Sequence, residues 1–448
     1  MEPASFERVK KREMPSELFK WSRYNIVVPP GEGIDHWLLY NTAAGKLLAL
    51  GQSPDPIKTH YTPSAPLDPD HEQLQKLGIL VADTVDEFGR SRFQWDRIRF
   101  GRQQYLTIMP TEQCNFRCVY CYEDFVKGTI SEELQAGLIA WVTQNISTWT
   151  GLHVGWFGGE PLISYKAVCR LSEHFVEICA EHRIPFSSSM TTNGYNLTLE
   201  RAQELRTLGV RRYQITLDGV GAQHDHHRHL KGGQGTYARI MQNLVALHNA
   251  DMDVEITIRM NIDRENGPHL TELLDELARM LGSDGRFFFR VFAVGKWGGD
   301  NDSRLDVYDA ETALCQTENM VLYGLGKGIM PVVDDLRPHR ACYAGMPNSL
   351  IIGSDGTIYK CTVAFDNPLN HVGRLLASGK LSINNDRFSR WVSSDGVADS
   401  GCQQCSVHPI CHGATCPLVR IEQGIRPCPP AKANLPGYIR MLYKVKHE

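Results

Sequence analysis

The sequence has no long apolar run, no excess of one charge and no N-terminal signal segment. None of its apolar stretches is long enough to span a bilayer, and its start lacks the apolar region of a signal peptide. The formal net charge is -4 over 448 residues, so no global field attracts nucleic acid or an anionic membrane. We therefore expect a cytoplasmic globular protein that binds neither nucleic acid nor a membrane.

Cysteine, by contrast, is abundant and unevenly placed. The chain has 13 cysteines, and because the cytoplasm keeps thiols reduced, clustered cysteines predict metal ligands rather than disulfides. Three fall in one loop, seven lie between Cys342 and Cys428, and Cys169, Cys179 and Cys315 stand apart. These last three are expected to be buried small hydrophobes, Cys169 and Cys179 inside a helix.

The cysteine loop carries Cys114, Cys118 and Cys121 in the spacing CxxxCxxC, with Tyr120 directly before the third cysteine. A structural zinc site is closed by four protein ligands, whereas an iron–sulfur cluster held by three cysteines leaves one iron free for a small molecule. The alternative is a distant His or Cys that completes an ordinary zinc site. The missing fourth ligand indicates chemistry at an open iron.

Short β-rich runs alternate with amphipathic helical runs from about residue 104 to residue 294. The predicted strands are residues 104–109, 152–157, 186–192, 212–217, 254–262 and 287–293. Repeated strand–helix–strand units predict a parallel sheet with right-handed crossovers, here a partial barrel of six units. Sites in such folds form at the carboxyl ends of the strands.

Candidate ligand-binding residues follow these strand ends. They are Gly158, Gly159 and Glu160 after the second strand, Asn193 after the third, and Arg259 in the fifth. The carboxylate suits an amino group, the amide suits a ribose, and the guanidinium suits a carboxylate, while the glycines let backbone approach closely. Taken singly, each residue also suits an ordinary turn or a strand-end ion pair.

The cysteine loop and the segments that follow it resemble the radical S-adenosylmethionine (SAM) superfamily, whose signature is CxxxCxxC with an aromatic residue before the third cysteine. The resemblance implies a 4Fe-4S cluster on the three cysteines, with SAM bound to its free iron and cleaved to a 5'-deoxyadenosyl radical. It implies that the Gly-Gly-Glu-Pro segment receives the methionyl amine. The cofactor-binding residues are then Gly158, Gly159, Glu160, Asn193, Arg259 and Tyr120.

Residues 216–236 resemble the stretch after the fourth strand in peptide-modifying members of that superfamily. The stretch contains Thr-Leu-Asp-Gly, four histidines, Arg228 and a glycine cluster without P-loop spacing. We expect His224, His226, His227 and His229 to be flexible and solvated, with His224 or Asp225 available to substrate.

The C-terminal region holds a second field of cysteines in glycine- and proline-rich surroundings, which would need a metal to order them. They are Cys342, Cys361, Cys402, Cys405, Cys411, Cys416 and Cys428. A Ser-Asp-Gly hairpin within residues 350–361 is expected to carry Cys361. The pattern resembles the SPASM domain, which holds two auxiliary 4Fe-4S clusters, although four residues rather than three separate Cys411 from Cys416. A zinc ribbon is the alternative.

The SPASM resemblance assigns the cysteines to two clusters. Cys402, Cys405, Cys411 and Cys428 would hold one cluster, and Cys342, Cys361 and Cys416 the other. The second cluster lacks one ligand. Either Cys315 folds back to supply it, or an iron stays open, where a substrate thiolate could bind.

The N-terminal region contains three short predicted strands, at residues 24–28, 37–42 and 46–50, and an amphipathic helix at residues 72–81. They suit a winged-helix-like module of the kind that recognises leader peptides by strand addition; the alternative is a cap over the barrel. The expected fold is α/β, a partial (β/α)6 TIM-like barrel of radical SAM type between this module and a SPASM domain. The predicted domains are residues 1–97, 98–300, a helical linker at 301–341, and 342–448.

The resemblance implies a peptide maturase that installs an oxidative crosslink, thioether or carbon–carbon, in a ribosomally synthesised precursor peptide. Its cofactors would be SAM and three 4Fe-4S clusters, and its electron donor a low-potential carrier such as flavodoxin or ferredoxin. One alternative is a sulfatase-maturing enzyme that generates formylglycine with the same three clusters. Another is a non-catalytic zinc- and peptide-binding protein. No residue stands out as a general base.

Overall fold

The computed structural model describes residues 18–54 and 69–447, and its N-terminal part contains two small sheets and two helices. The elements are β1 (Phe19–Trp21), β2 (Asn25–Val28), β3 (Trp37–Asn41), β4 (Lys46–Leu50), α1 (Pro69–Lys76), β5 (Leu80–Ala82) and α2 (Glu87–Arg99). Strands β2, β3 and β4 form an antiparallel sheet, and β1 pairs with β5. The three predicted strands are present. Residues 1–17 and 55–68 of the predicted first domain lie outside the described residues.

The predicted helix at residues 72–81 is wrong at its C-terminal end. Helix α1 stops at Lys76, and Gly78 adopts a φ of 73°, in the left-handed region that favours glycine. The amide of Ile79 then donates to the carbonyl of Leu74 at 2.9 Å, which closes the helix end. The chain continues as strand β5 instead of helix.

Helix α2 was not predicted. Its N-terminus is capped by Asp86, whose side chain accepts from the amide of Gly89. The helix buries Ser91, Trp95 and Arg99. It also passes through the boundary predicted between residues 97 and 98, so the N-terminal module leads into the barrel without a break in helical structure.

In the barrel that follows, each strand of the parallel sheet is connected to the next by at least one helix. Its elements are β6 (Gln103–Ile108), β7 (Phe116–Cys118), α3 (Glu132–Asn145), β8 (Gly151–Trp156), α4 (Tyr165–Glu181), β9 (Phe186–Thr192), α5 (Leu199–Thr207), β10 (Val210–Thr216), α6 (Ala222–His227), β11 (Arg228–Leu230), α7 (Tyr237–Asn249), β12 (Glu255–Ile262), α8 (Leu270–Leu281) and β13 (Phe287–Ala293). Strands β6, β8, β9, β10, β12 and β13 lie side by side in chain order, all parallel. The predicted six-unit partial barrel is confirmed.

The C-terminal part is built onto the same sheet. Its elements are α9 (Ala310–Gly326), β14 (Met330–Pro331), β15 (Ser349–Ile352), β16 (Thr357–Tyr359), β17 (Gly373–Leu375), β18 (Leu381–Ile383), α10 (Asn385–Val392), α11 (Ser400–Gln403), α12 (His408–Cys411), α13 (Pro417–Gln423) and α14 (Leu435–His447). Strand β15 pairs in parallel with β6, and β16, β17 and β18 extend the sheet as antiparallel neighbours. The predicted hairpin is present as β15 and β16. Strand β14 joins the opposite edge beside β13, which attaches the predicted linker to the barrel.

Two buried cores hold these parts together. The larger lies between the barrel strands and their helices, with side chains such as Ile108, Leu138 and Ile258 at most 1% exposed. The second joins the N-terminal module to the C-terminal helix, since Leu38 of β3 and Ile439 of α14 are both fully buried in it. Burial of large aliphatic side chains contributes about 1.5–3 kcal/mol each, so the module is packed against the C-terminal region.

None of the helices in the described part of the chain combines the length and apolarity required to cross a membrane.

Candidate active site

A cavity of about 190 Å³ lies at the carboxyl ends of the barrel strands. Cys114, Cys118 and Cys121, from the loop between β6 and α3, all line it. The wall also includes Tyr120, Gly158, Gly159, Asn193, Gln214, Arg228, Arg259, Asn261 and Trp297. Burial raises the pKa of all three thiols, that of Cys114 to about 12. Their thiolate forms therefore need a positively charged centre to stabilise them.

The cysteine loop is held by a two-stranded ribbon that the sequence did not reveal. Strand β7, which ends at Cys118, pairs antiparallel with β11, and Arg228 lies opposite Cys118. Beyond the ribbon, the amide of Val119 donates to the carbonyl of His227 at 3.0 Å. Residues 222–230 thus fix the backbone on which the second and third cysteines sit.

Gly158 and Gly159 line the cavity, and neither position tolerates a side chain. Gly158 has a φ of 84°, and an added Cβ would lie 2.5 Å from the side chain of Met109. Gly159 has a φ of 49°, and an added Cβ would press on the carbonyl oxygen of Gln113. The backbone after β8 therefore runs directly along the cysteine loop.

The carboxylate of Glu160 is held by donors of the protein. Its carboxylate is fully buried, outside the residues that line the cavity, and accepts from the amide of Leu162 at 2.9 Å. It also accepts from the hydroxyl of Thr192 at 2.8 Å and from the amide of Asn193 at 2.7 Å. With these three donors engaged, the side chain ties the end of β8 to the end of β9. It therefore positions neighbouring residues of the cavity wall.

Asn193 lies at the cavity wall, as predicted, with its amide oriented by neighbours. Its Nδ2 donates to Oδ1 of Asn115 in the cysteine loop at 2.8 Å, and its Oδ1 accepts from the amide of Tyr195 at 3.0 Å. The residue connects the third barrel strand to the cysteine loop.

Arg259 lines the cavity with a guanidinium that has no ion-pair partner among the described residues. Its Nε donates to Oδ1 of Asn261 at 2.8 Å, and its Cζ lies 4.2 Å from the centre of the Phe292 ring. Arg290 lies opposite in strand register and flanks the same ring, but pairs with Asp334 at 2.9 Å. A half-buried guanidinium without a carboxylate partner can pair with an anionic group.

Tyr120 is the centre of a buried polar network. Its hydroxyl donates to Oδ2 of Asp218 and accepts from Nη1 of Arg228 at 2.6 Å and from Nδ2 of Asn261 at 2.9 Å. Asp218 also accepts from the amide of Asn261 at 2.8 Å. Burial raises the pKa of Asp218, while the charge of Arg228 opposes this. Roles for Asp218, Arg228 and Asn261 were missed, although Asp218 follows a strand end, where such residues gather.

The histidines of residues 222–230 are only partly solvated. His226 is exposed, but His224 is fully buried and His227 is 3% exposed, so the expectation of flexible histidines was wrong for these two. His224 accepts from the amide of Asp218 at 3.2 Å through Nδ1, and its Nε2 lies 3.1 Å from the hydroxyl of Thr236. His224 therefore helps to position Asp218, which belongs to the Tyr120 network.

Four of the C-terminal cysteines line one small cavity: Cys402, Cys405, Cys411 and Cys428. Positive charge surrounds it. Lys432 Nζ donates to Cys428 Sγ at 3.6 Å, and Arg420 Nη2 donates to Cys402 Sγ at 3.8 Å. Burial raises the pKa of Cys402 to about 11.

The remaining three cysteines of this region lie near one another. Burial raises the pKa of Cys342 to about 11 and that of Cys361 to about 12, and Cys416 adds to both shifts. Cys315 lies elsewhere, on α9, where its thiol is exposed and accepts from Asn319 at 3.7 Å. The expectation of a buried Cys315 was wrong, whereas Cys169 and Cys179 are buried in α4 as expected.

Within the described part of the chain, no group of three or more His, Cys, Asp or Glu side chains converges closely enough to hold a single metal ion. An iron–sulfur cluster spreads its thiolates over separate irons, so its cysteines need not converge on one point. Three half-buried thiols beside glycine backbone and a guanidinium without an ion pair fit such a cluster with a small zwitterionic ligand.

The sequence profile of the radical SAM superfamily matches residues 108–277, the segment that contains the cysteine loop and most of the barrel. Residues 108–277 form a radical SAM domain. Such a domain implies a 4Fe-4S cluster and SAM as cofactors. The resemblance stated from the sequence is confirmed, as is the α/β fold of radical SAM type.

Curated relatives of the radical SAM domain are distant. GTP 3',8-cyclase of Campylobacter curvus is 24% identical over 277 residues, 59% of this chain and 81% of that protein. AdoMet-dependent heme synthase of Methanosarcina barkeri is 26% identical over 204 residues, 46% of this chain and 54% of that protein. An uncharacterized protein of Synechocystis is 26% identical over 163 residues, 35% of this chain and 41% of that protein. The chain spans less than two thirds of the last two.

Solved structures share the fold over most of the chain. Native anSMEcpe with bound AdoMet and Cp18Cys peptide has a TM-score of 0.56 and 14% identity, and the match covers 77% of this chain and 99% of that one. Streptococcus suis SuiB bound to the precursor peptide SuiA has a TM-score of 0.51 and 13% identity, with coverage of 90% and 97%. The likeness therefore extends beyond the radical SAM domain into the flanking regions.

Proposed function

We propose that this protein is a radical SAM/SPASM maturase that installs an oxidative crosslink, thioether or carbon–carbon, in a ribosomally synthesised precursor peptide. The observation that carries the proposal is the grouping of ten cysteines into three sites, one at the barrel cavity and two in the C-terminal region. The cysteine loop follows β6, and β15, which pairs with β6, leads into the hairpin before Cys361. The sheet thus connects the radical-generating site to the hairpin before Cys361, which belongs to one of the two sites suited to electron transfer.

Different residues of the cavity would bind different groups of SAM. Arg259, as the unpaired guanidinium, would pair with the methionyl carboxylate. The backbone at Gly158 and Gly159 would bind the methionyl amine of SAM. The carboxylate of Glu160, the next residue, fixes the backbone at that point. Asn193 would contact the ribose, and Tyr120 would close the wall beside the third cysteine.

The cysteines would hold three 4Fe-4S clusters. Cys114, Cys118 and Cys121 hold the SAM-binding cluster, and Cys402, Cys405, Cys411 and Cys428 hold one auxiliary cluster. Cys342, Cys361 and Cys416 hold the other. Helix α9 packs against α8, β13 and α14, and Cys315 on it is exposed. We therefore assign three cysteines, not four, to this last cluster, which leaves one iron open to another ligand.

A peptide substrate is supported by the N-terminal module. Its sheet has the order β2, β3, β4, so β2 and β4 are edge strands, and a leader peptide could add as a further strand. At the cavity, Trp297 lines the wall and is 50% exposed, which offers an aromatic surface to an entering side chain. The two crystal complexes with peptides named above share this fold.

A cluster held by Cys114, Cys118 and Cys121 would supply the one electron that cleaves SAM, and so the radical chemistry that takes one hydrogen atom from the peptide. Forming the crosslink then releases a second hydrogen as a proton and an electron. The peptide loses two hydrogens in total, and the electron needs an acceptor. Clusters at the C-terminal cysteine sites would accept this electron. A low-potential carrier such as flavodoxin or ferredoxin would exchange electrons with the protein.

The decisive experiment is anaerobic reconstitution with iron and sulfide, followed by incubation with SAM, reductant and the short peptide encoded beside the gene. We expect a mass loss of two hydrogens and linked fragments in tandem mass spectrometry. A formylglycine product would instead favour the sulfatase-maturing alternative. An unaltered peptide, or zinc without iron and sulfide in the anaerobically purified protein, would contradict the proposal.

A further inference from the structure

Helix α2 carries an exposed face of arginine and phenylalanine. Arg90, Phe93 and Arg97 are spaced by three and four residues and lie on one side of the helix, with Phe100 directly after its end. Phe93 is 63% exposed and Phe100 is 62% exposed. Aromatic residues and arginine are the residue types enriched at the centres of protein interfaces.

The charge of this α2 face is positive and uncompensated. Arg90 and Arg97 have no ion-pair partner among the described residues. The carboxylates of the helix are used within the protein, because Asp96 pairs with Arg99 at 3.0 Å and Glu87 accepts from Ser22 at 2.5 Å. A partner with a negative surface is therefore favoured.

The inner side of α2 reaches the cavity lined by Cys402, Cys405, Cys411 and Cys428, because the ring of Phe88 lies 4.8 Å from that of His408 in the cavity wall. Trp95 stacks on His412, the residue after Cys411, with ring centres 5.0 Å apart and planes 7° from parallel. His339 stacks on the other side of His412 at 5.1 Å. The stack ends at a depression lined by Arg97, Ile98 and His339, beside the α2 face. The stacked rings thus run from the residue after Cys411 to the surface beside the α2 face.

We propose that the α2 face is the docking surface for an acidic one-electron carrier protein of the flavodoxin type. The inference rests on the proposed function, in which the auxiliary site receives the electron released by crosslink formation and the carrier takes that electron up. A helix has no free backbone edge, so the face suits the surface of a folded partner rather than an extended peptide. Small, charge-steered contacts are typical of electron-transfer complexes.

The test is the affinity of a purified bacterial flavodoxin for the anaerobically reconstituted full chain, at low and high ionic strength. We expect Arg90→Glu/Arg97→Glu to weaken binding about tenfold at low salt and to flatten its salt dependence. Phe93→Ser/Phe100→Ser should weaken binding and leave the salt dependence intact. The control is Lys166→Glu/Arg239→Glu, an equal charge reversal on exposed positions of α4 and α7, which should bind as the unchanged protein does.

Three outcomes would overturn the proposal. The first is unchanged flavodoxin binding in both α2 variants, and the second is equally weakened binding in the control variant. The third is that the α2 variants lose affinity for the precursor peptide but not for flavodoxin, which would make the α2 face a peptide-binding surface. SAM cleavage driven by dithionite needs no carrier and separates the two proposals. If the unchanged protein fails to cleave SAM with dithionite, the proposed function is wrong; if it cleaves SAM while the α2 variants bind flavodoxin normally, only the docking surface is wrong.

Discussion

The hydroxyl of Tyr120 accepts a 2.6 Å hydrogen bond from Nη1 of Arg228, 108 residues further along the chain. Arg228 also lies opposite Cys118 in the ribbon of β7 and β11. A buried guanidinium thus contacts the aromatic residue of the cysteine motif and sits beside the second cysteine. Its positive charge offsets the negative charge that thiolates and a cluster bring into a buried site.

We expect Arg228→Gln to lower the reduction potential of the SAM-binding cluster, because a nearby positive charge stabilises the reduced form. A shift of about 60 mV corresponds to ~1.4 kcal/mol for one electron. Anaerobic redox titration followed by electron paramagnetic resonance measures it. Arg228→Lys keeps the charge and should shift the potential less; equal potentials in all three proteins would contradict the expectation.

Arg259→Gln should weaken SAM binding about 10- to 100-fold, because a charged hydrogen bond contributes about 1.5–3 kcal/mol. Equilibrium dialysis with labelled SAM under anaerobic conditions measures the affinity. Arg290→Gln is the matched control, since Arg290 flanks the same Phe292 ring and is paired with Asp334. Comparable losses in both variants would argue against a direct contact from Arg259.

Gly159→Ala should displace the backbone beside the cysteine loop and reduce SAM affinity at least about tenfold. Gly221→Ala is the control, because Gly221 has a similar φ of 53° but an added Cβ meets nothing within 4 Å. Both variants place alanine at a positive φ that residues with a side chain rarely adopt, and only Gly159→Ala adds the clash. SAM affinity and melting temperature are the measurements. Equal SAM affinity in the two variants would refute a role for close backbone approach.

Iron analysis tests the grouping of the C-terminal cysteines. Three 4Fe-4S clusters correspond to about twelve irons per chain. Cys402→Ala/Cys411→Ala should lower this by about four, and adding Cys342→Ala/Cys361→Ala should lower it by about eight in total. Cys315→Ala should leave the iron content unchanged. If the quadruple variant loses no more iron than the double variant, the four cysteines belong to one cluster.

His153 gives stability a pH dependence. Burial, and then the charge of Arg212, lower its pKa to about 4, from about 6.5 in an unfolded chain. A lowered histidine pKa contributes stability above pH 6.5, and this contribution is lost as the pH falls from 6.5 toward 4. Between pH 7 and pH 5 the contribution of His153 to this loss should be about 1–2 kcal/mol, so His153→Gln should lose that much less stability than the unchanged protein.

Urea unfolding at the two pH values, under anaerobic conditions, measures this loss. His182→Gln, at an exposed position after α4, is the control and should keep the pH dependence of the unchanged protein. A His153→Gln variant that retains the full loss would place its origin elsewhere.

The barrel was predictable because each of its strands is a compact β-rich run followed by an amphipathic helix. Helix α2 was not, because its buried residues include Ser91 and Arg99 beside a single large apolar residue, Trp95, so it has no clear apolar periodicity. The pairing of β15 with β6 could not be predicted from the sequence either. Contacts between strands so far apart in sequence leave no local pattern.

The candidate site was predictable where spacing alone defines the chemistry, as for the three cysteines of the loop. It was less so for Glu160, because only the folded structure reveals that Thr192 and Asn193 already occupy its carboxylate. The burial of His224 depends likewise on Thr236 and on the amide of Asp218, which come from separate segments. The direction of a side chain at a strand end is set by contacts with residues distant in sequence, so the local sequence does not determine it.

The parallel pairing of β15 with β6 constrains the order of events during synthesis. Until Ser349–Ile352 has left the ribosome, β6 is an uncovered edge strand at the start of the barrel. Such an edge invites association between nascent chains. The cysteine loop that follows β6 emerges early but lacks its final support until the C-terminal hairpin closes the sheet. We expect cluster insertion into the finished protein to be more productive than insertion into a partly synthesised chain.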